Sequence, residues 1–106
     1  MKIEKLTESE EIVMRAIWDC RNEPVLQDVV DRVNGLYGRE WAPQTVSTFL
    51  TNLRRKDYLE MHRKGRICKY HVKVEEKDYR KHILKEICIF LYKDNKDQMI
   101  SDLNII

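Results

Sequence analysis

Apolar residues recur at helical spacing over most of this chain, and in one place the spacing shortens to that of strands. Ile12, Val13, Ala16 and Ile17 form the first stripe, with Leu6 and Trp18 packing at its ends. Ahead of it, Thr7-Glu8-Ser9-Glu10 is a capping box: the Thr7 hydroxyl accepts from the Glu10 amide and the Glu10 side chain reaches back. A helix is predicted from about Ser9 to about Asp19, broken by Arg21-Asn22-Glu23-Pro24. Leu26, Val29, Val30, Val33 and Tyr37 make a second stripe. Val25 offers no acceptor as its N-cap, and Gly38 is a better stop than Gly35. Val46, Phe49, Leu50 and Leu53 make a third, over Ala42–Lys56, with Pro43 in the first turn and an end near Asp57.

The period then changes. Tyr58–His62 and Ile67–Val72 are short and rich in β-formers, and Arg63-Lys64-Gly65-Arg66 between them predicts a hairpin with a basic tip. Helical spacing returns from Glu75, with Tyr79, Ile83, Leu84, Ile87, Cys88 and Leu91 on one stripe. The polar stretch Lys93–Gln98 ends it, and Met99, Ile100 and Leu103 predict a short last helix. No internal repeat or low-complexity linker interrupts this order. It predicts a mostly α fold with a small β-hairpin wing: a winged helix-turn-helix over 5–73, then a C-terminal helical dimerisation region over 74–106.

The polar side of the third helix is unlike an ordinary solvated face. It carries Gln44, Ser47, Thr48, Thr51, Asn52, Arg54 and Arg55, and no acid before Asp57. Thr, Ser and Asn are mediocre helix formers, where a face with no further duty would use Glu, Lys and Gln. Charge changes the picture in the same place. Residues 1–38 carry five basic and eight acidic side chains, 39–73 nine and three, and 74–106 six and seven, so the net charge of +2 conceals a basic middle third. A localised basic patch attracts polyanions. In a helix-turn-helix protein the last of three helices enters the major groove. Opposite the apolar stripe stand Gln44, Thr48, Thr51 and Arg55, flanked by Ser47 and Asn52. Gln pairs with adenine, the Thr methyl meets thymine, and Arg reaches guanine or phosphate.

Other classes gain little. There is no Gly-rich phosphate loop, HExxH or GxSxG, so no enzyme and no cofactor are expected. Cys20, Cys68 and Cys88 are odd in number and form no CxxC, so they read as buried free thiols. A metal site would need Cys68 to join His62 or His71, a spacing that matches no standard zinc pattern, and none is expected. His62, His71 and His82 read as polar surface. No apolar run reaches the ~18 residues of a membrane span, and MKIEKLTESE has no apolar signal core, so the expected place is the cytoplasm.

One set of residues resembles a known family. Trp41-x-Pro43-x-Thr45-Val46-x-Thr48-x-Leu50-x-x-Leu53-x-x-Lys56, then Leu59, Gly65-Arg66 and Tyr70, is similar to the penicillinase repressor (BlaI/MecI) family, and Leu6-Thr7-x-x-Glu10 and Ile17-Trp18 fit its first helix. The resemblance covers about residues 5–92. It implies a homodimeric winged-helix repressor on a dyad double-stranded DNA operator, controlling a resistance or stress-response gene. Gln44, Thr45, Thr48 and Thr51 would read bases. Ser47, Asn52, Arg54, Arg55, Arg63, Lys64 and Arg66 would meet the backbone. Tyr79, Ile83, Leu84, Ile87, Cys88, Leu91, Met99, Ile100 and Leu103 would form the dimer interface. It also implies a membrane-bound sensor protease that relieves repression by cleavage.

Three departures are plain. Asp57 stands where the family usually has Gly. The family's Asn-Phe cleavage bond is absent from this sequence, since Phe90 follows Ile89, and Asn95 and Asn104 precede Lys96 and Ile105. The Cys-x-Cys tail of the copper-responsive branch is absent too. Two alternatives remain at this level: a ligand- or thiol-responsive winged-helix regulator, and a winged helix used as a protein-interaction module. The second would favour a neutral or acidic third helix and an uncharged wing.

Overall fold

The capping box sets where the chain first turns helical. Thr7 Oγ1 accepts from the Glu10 amide at 3.2 Å, and Glu10 Oε1 accepts from the Thr7 amide at 2.9 Å. The computed structural model describes residues 3–106, and in it α1 runs Glu8–Trp18 from this cap. α2 (Leu26–Tyr37) has no side-chain acceptor at its N-cap Val25. Instead the Val25 amide donates to Asp28 Oδ2 at 3.1 Å. It ends on Gly38 at φ 62°, the left-handed conformation glycine adopts without steric cost. α3 (Pro43–Arg55) follows a five-residue connection, residues 38–42.

Val13, Met14, Ala16 and Ile17 of α1, Val29, Val30 and Val33 of α2, and Val46, Leu50 and Leu53 of α3 are buried and make one core. Phe49, expected on that stripe, is only half-buried; its ring lies against Trp41 with centroids 5.0 Å apart.

β1 (Leu59–Lys64) and β2 (Ile67–Val72) pair antiparallel from Leu59↔Val72 to Lys64↔Ile67. The turn is therefore two residues, Gly65-Arg66, with Gly65 at φ 64°. This corrects the expected four-residue tip: Arg63 and Lys64 are strand residues. Tyr58, expected in the first strand, is buried just ahead of it and donates its hydroxyl to the Glu4 carbonyl. Burial, with nearby carboxylates adding to it, pushes the Tyr58 phenol up to about 12. β2 also uses its outer edge, the Tyr70 amide donating to the Pro24 carbonyl at 3.0 Å. The indole of Trp18 donates to the Val74 carbonyl at 2.9 Å, and Val74 is buried, so this first compact unit reaches Glu75.

The second compact unit, Glu76–Ile106, consists of α4 (Glu76–Tyr92) and α5 (Lys96–Ile105). The break between them is shorter than expected, because Asn95 caps α5 by accepting from the Gln98 amide at 3.1 Å. Lys93 and Asp94 turn the chain at φ 50° and 65°. Among the described residues, no helix is long and apolar enough to cross a membrane.

Candidate nucleic-acid interface

α3 is anchored at both ends, which fixes the face it exposes. Before it, the Asn34 side chain clamps the connection from α2: its Oδ1 accepts from the Trp41 amide and its Nδ2 donates to the Trp41 carbonyl, both at 3.0 Å. After it, the Asp57 amide donates to the Arg54 carbonyl at 3.0 Å and the Tyr58 amide to the Leu53 carbonyl at 2.9 Å. These two bonds make a Schellman motif, with Asp57 left-handed at φ 67°. An aspartate tolerates that conformation better than most residues, so replacing the expected Gly leaves the stop intact.

Lys56, the C-cap residue, ties α3 to α1. Its Nζ lies 2.6 Å from Glu10 Oε1 and 3.2 Å from the Lys5 carbonyl. Glu10 is 3% exposed, so its carboxylate is largely shielded from water. Burial raises its pKa, but the hydrogen bonds from Lys56 and Thr7 and the Lys56 charge outweigh burial and hold it below the ordinary value of 4.5. One carboxylate thus serves the start of α1 and the end of α3.

The outward face of α3 presents Gln44, Thr45, Thr48, Thr51, Arg54 and Arg55, all exposed, with Ser47 and Asn52 half-buried. Thr48 Oγ1 donates to the Gln44 carbonyl and Thr51 Oγ1 to the Ser47 carbonyl, each at 3.1 Å. Arg55 Nη2 donates to Asn52 Oδ1 at 2.9 Å, so Asn52 also steers a neighbouring guanidinium. The first turn holds no acid, and its backbone amides give that end positive character.

On the hairpin, strand alternation divides the expected contacts. Lys64 shares the outward face with Glu60, His62, Ile67, Lys69 and His71, whereas Arg63 lies on the face of Met61, Cys68 and buried Tyr70. Cys68 is therefore on the opposite face from His62 and His71, and does not join them. Of the three cysteines expected to be buried, only Cys88 is; Cys20 and Cys68 are half-buried. Burial pushes the Cys20 thiol pKa up, and its Sγ lies 3.4 Å from the Ala16 carbonyl, which disfavours a reactive thiolate.

In the second unit the expected stripe divides. Tyr79 and Cys88 are buried, Ile83 and Met99 half-buried, and Leu84, Ile87, Leu91, Ile100 and Leu103 exposed. A groove of about 560 Å³ between α4 and α5 is lined by Leu84, Cys88, Met99, Ile100 and Leu103 among others. Ile89 and Phe90, 49% and 83% exposed, add to the apolar surface. Ile89 falls off the predicted stripe, whereas Phe90, seven residues after Ile83 and three after Ile87, falls within it although it was not among the expected interface residues.

The comparisons with known proteins agree with this geometry. The penicillinase repressor family matches residues 6–104. The methicillin resistance regulatory protein MecI of Mammaliicoccus sciuri is 23% identical over 99 residues, which is 93% of this chain and 78% of that protein. The penicillinase repressor of Bacillus licheniformis is 30% identical over 78 residues, 74% of this chain and 59% of that protein. Two solution structures are similar, each at 29% identity over 74% of this chain and 92% of the other. One is the DNA binding domain of the repressor BlaI, with a TM-score of 0.61. The other is the monomeric form of Bacillus licheniformis BlaI in complex with the blaP half-operator, with a TM-score of 0.59. By the extent of the family match and by its winged helix-turn-helix, this chain belongs to the penicillinase repressor family.

Proposed function

We propose that this DNA-binding transcriptional repressor works as a homodimer on a dyad operator, with α3 reading the major groove of each half-site. The observation that carries the reading is the acid-free, hydroxyl- and amide-bearing face of α3 on a helix fixed at both ends. Gln44, Thr45, Thr48 and Thr51 are the proposed base readers. Ser47, Asn52, Arg54 and Arg55 on α3, and Arg63, Lys64 and Arg66 on the hairpin, are the proposed backbone contacts. Support comes from the relative whose structure holds a half-operator, since half of a site implies a second copy on the other half. The apolar surface of α4 and α5 is the proposed seat of that second copy, through Tyr79, Ile83, Leu84, Ile87, Cys88, Leu91, Met99, Ile100 and Leu103. In this scheme the first unit is the DNA-binding domain and the second the dimerisation region. The regulated gene is proposed to serve antibiotic resistance or a related stress response, in the cytoplasm, with a membrane-bound sensor protease relieving repression, by family likeness.

Footprinting on DNA upstream of the protein's own gene tests the scheme. Two protected half-sites related by a dyad, about one helical turn or a multiple of it apart, are expected. Protection of a single half-site with full affinity would refute the dimeric mechanism.

A further inference from the structure

The outward face of the hairpin gathers three metal-ligating side chains that lie far apart in the sequence. The register sets Glu60 opposite His71 and His62 opposite Lys69, so His62 and His71 are diagonal neighbours on one face. Their rings stack, with centroids 5.2 Å apart and planes 18° from parallel. The Tyr70–Pro24 hydrogen bond lays the residues before α2 along the outer edge of β2. That contact brings in Glu23. Its Oε2 lies 3.0 Å from His71 Nδ1 and its Oε1 3.5 Å from His62 Nδ1. One donor atom from each of the three residues lies within 4.8 Å of the others.

Two imidazole nitrogens and one carboxylate oxygen are a familiar set for zinc-class ions, leaving further positions for water. With bonds of about 2.0–2.2 Å, tetrahedral donors stand about 3.3 Å apart. The two Glu23 separations, one from each carboxylate oxygen, lie near that value. A second observation supports a ligand role. His62 Nε2, the nitrogen turned away from Glu23, lies 3.2 Å from Glu60 Oε2. A carboxylate on the far nitrogen is how metal-bound imidazoles are held in the right tautomer. With both imidazoles neutral, the four groups carry two negative charges, which suits a dication.

We propose that Glu23, His62 and His71 bind a divalent transition-metal ion of the zinc class, with Glu60 orienting His62 as a positioning residue. The ion would join both hairpin strands to the residues preceding α2.

Calorimetric titration of the untagged full chain with zinc chloride tests this without any use of DNA. One saturating equivalent per chain is expected. His62→Ala and His71→Ala should each abolish it, Glu60→Gln should weaken it about tenfold, and Cys68→Ser should leave it unchanged. All four positions are at the surface or half-exposed, and circular dichroism checks that each variant folds. With cobalt(II) as a second probe, the spectrum should lack a thiolate-to-metal charge-transfer band. No saturable zinc binding would mean that the cluster holds histidine–carboxylate ion pairs only. That result, undiminished binding in both histidine variants, or a thiolate band would each overturn the proposal.

Discussion

Thr48 and Thr51 donate their hydroxyl protons to carbonyls one turn back, so what each offers outward is an oxygen lone pair and a methyl group. Gln44, in the first turn, is an exposed amide on that face able to donate and accept at one base edge. Gln44→Ala should cost about 1–3 kcal/mol on the preferred operator and relax preference at one base pair. Gel-shift titrations on operator and scrambled duplex check this, since equal losses on both would leave Gln44 a phosphate contact. Behind the face stands the Glu10–Lys56 pair. Lys56→Met leaves a buried carboxylate without its charged donor and should cost about 1–3 kcal/mol of stability at neutral pH. The pH dependence follows from the depressed Glu10 pKa. Its contribution is present above the pH where an unfolded glutamate titrates, and is lost as pH falls through the lower folded value. Urea melts of wild type and variant from neutral pH downward should therefore converge in acid, starting near the ordinary value of 4.5. A gap that stays constant down to pH ~3 would remove the charge from this account.

Among the elements, the hairpin carries the most specific expectation. A two-residue turn leaves no slack, so Arg66 at the tip and Lys64 beside it are fixed relative to the sheet, while Arg63 faces the other way. Neutralising Lys64 or Arg66 should weaken binding to all sequences and lower the salt slope by roughly one unit. Affinity measured over a salt series checks this, and a slope unchanged in both variants would count against a wing on the backbone. The same element shows what was legible beforehand. Composition and Gly65 announced a hairpin, but whether Lys64 was turn or strand depended on register, which local sequence does not encode when several turn lengths fit. α1, α2 and α3 were legible because each had a clear apolar period and at least one marked end: the Thr7 capping box for α1, Gly38 for α2 and Pro43 for α3. The Thr7 capping box disclosed one partner of Glu10; Lys56, 46 residues on, was hidden because only tertiary packing brings the two together. Asn34 and Glu23 were missed for the same reason: an amide that clamps a turn and a carboxylate that faces two histidines carry no local signature. On α3 the signal was readable because it was partly negative, a helix face that lacks acids and is rich in the mediocre helix formers Ser, Thr and Asn.

At the scale of the whole molecule, α4 and α5 leave an apolar surface of the kind that the proposed second copy would cover. Phe90, at 83% exposure, is the clearest member. Phe90→Glu should leave the chain's own packing unchanged yet convert dimer to monomer, and should reduce full-operator affinity more than half-site affinity. Sedimentation at micromolar concentration checks it, and a wild-type monomer there would remove the dimer altogether. If a second copy does cover that surface, the amount of protein in the cell becomes a regulatory variable. Below the dissociation constant, dimer abundance follows the square of chain abundance, so a tenfold fall in chains lowers the repressing species about a hundredfold. The exposed phenylalanine then makes repression a thresholded response to dosage, in which modest turnover of the chain suffices to open the gene.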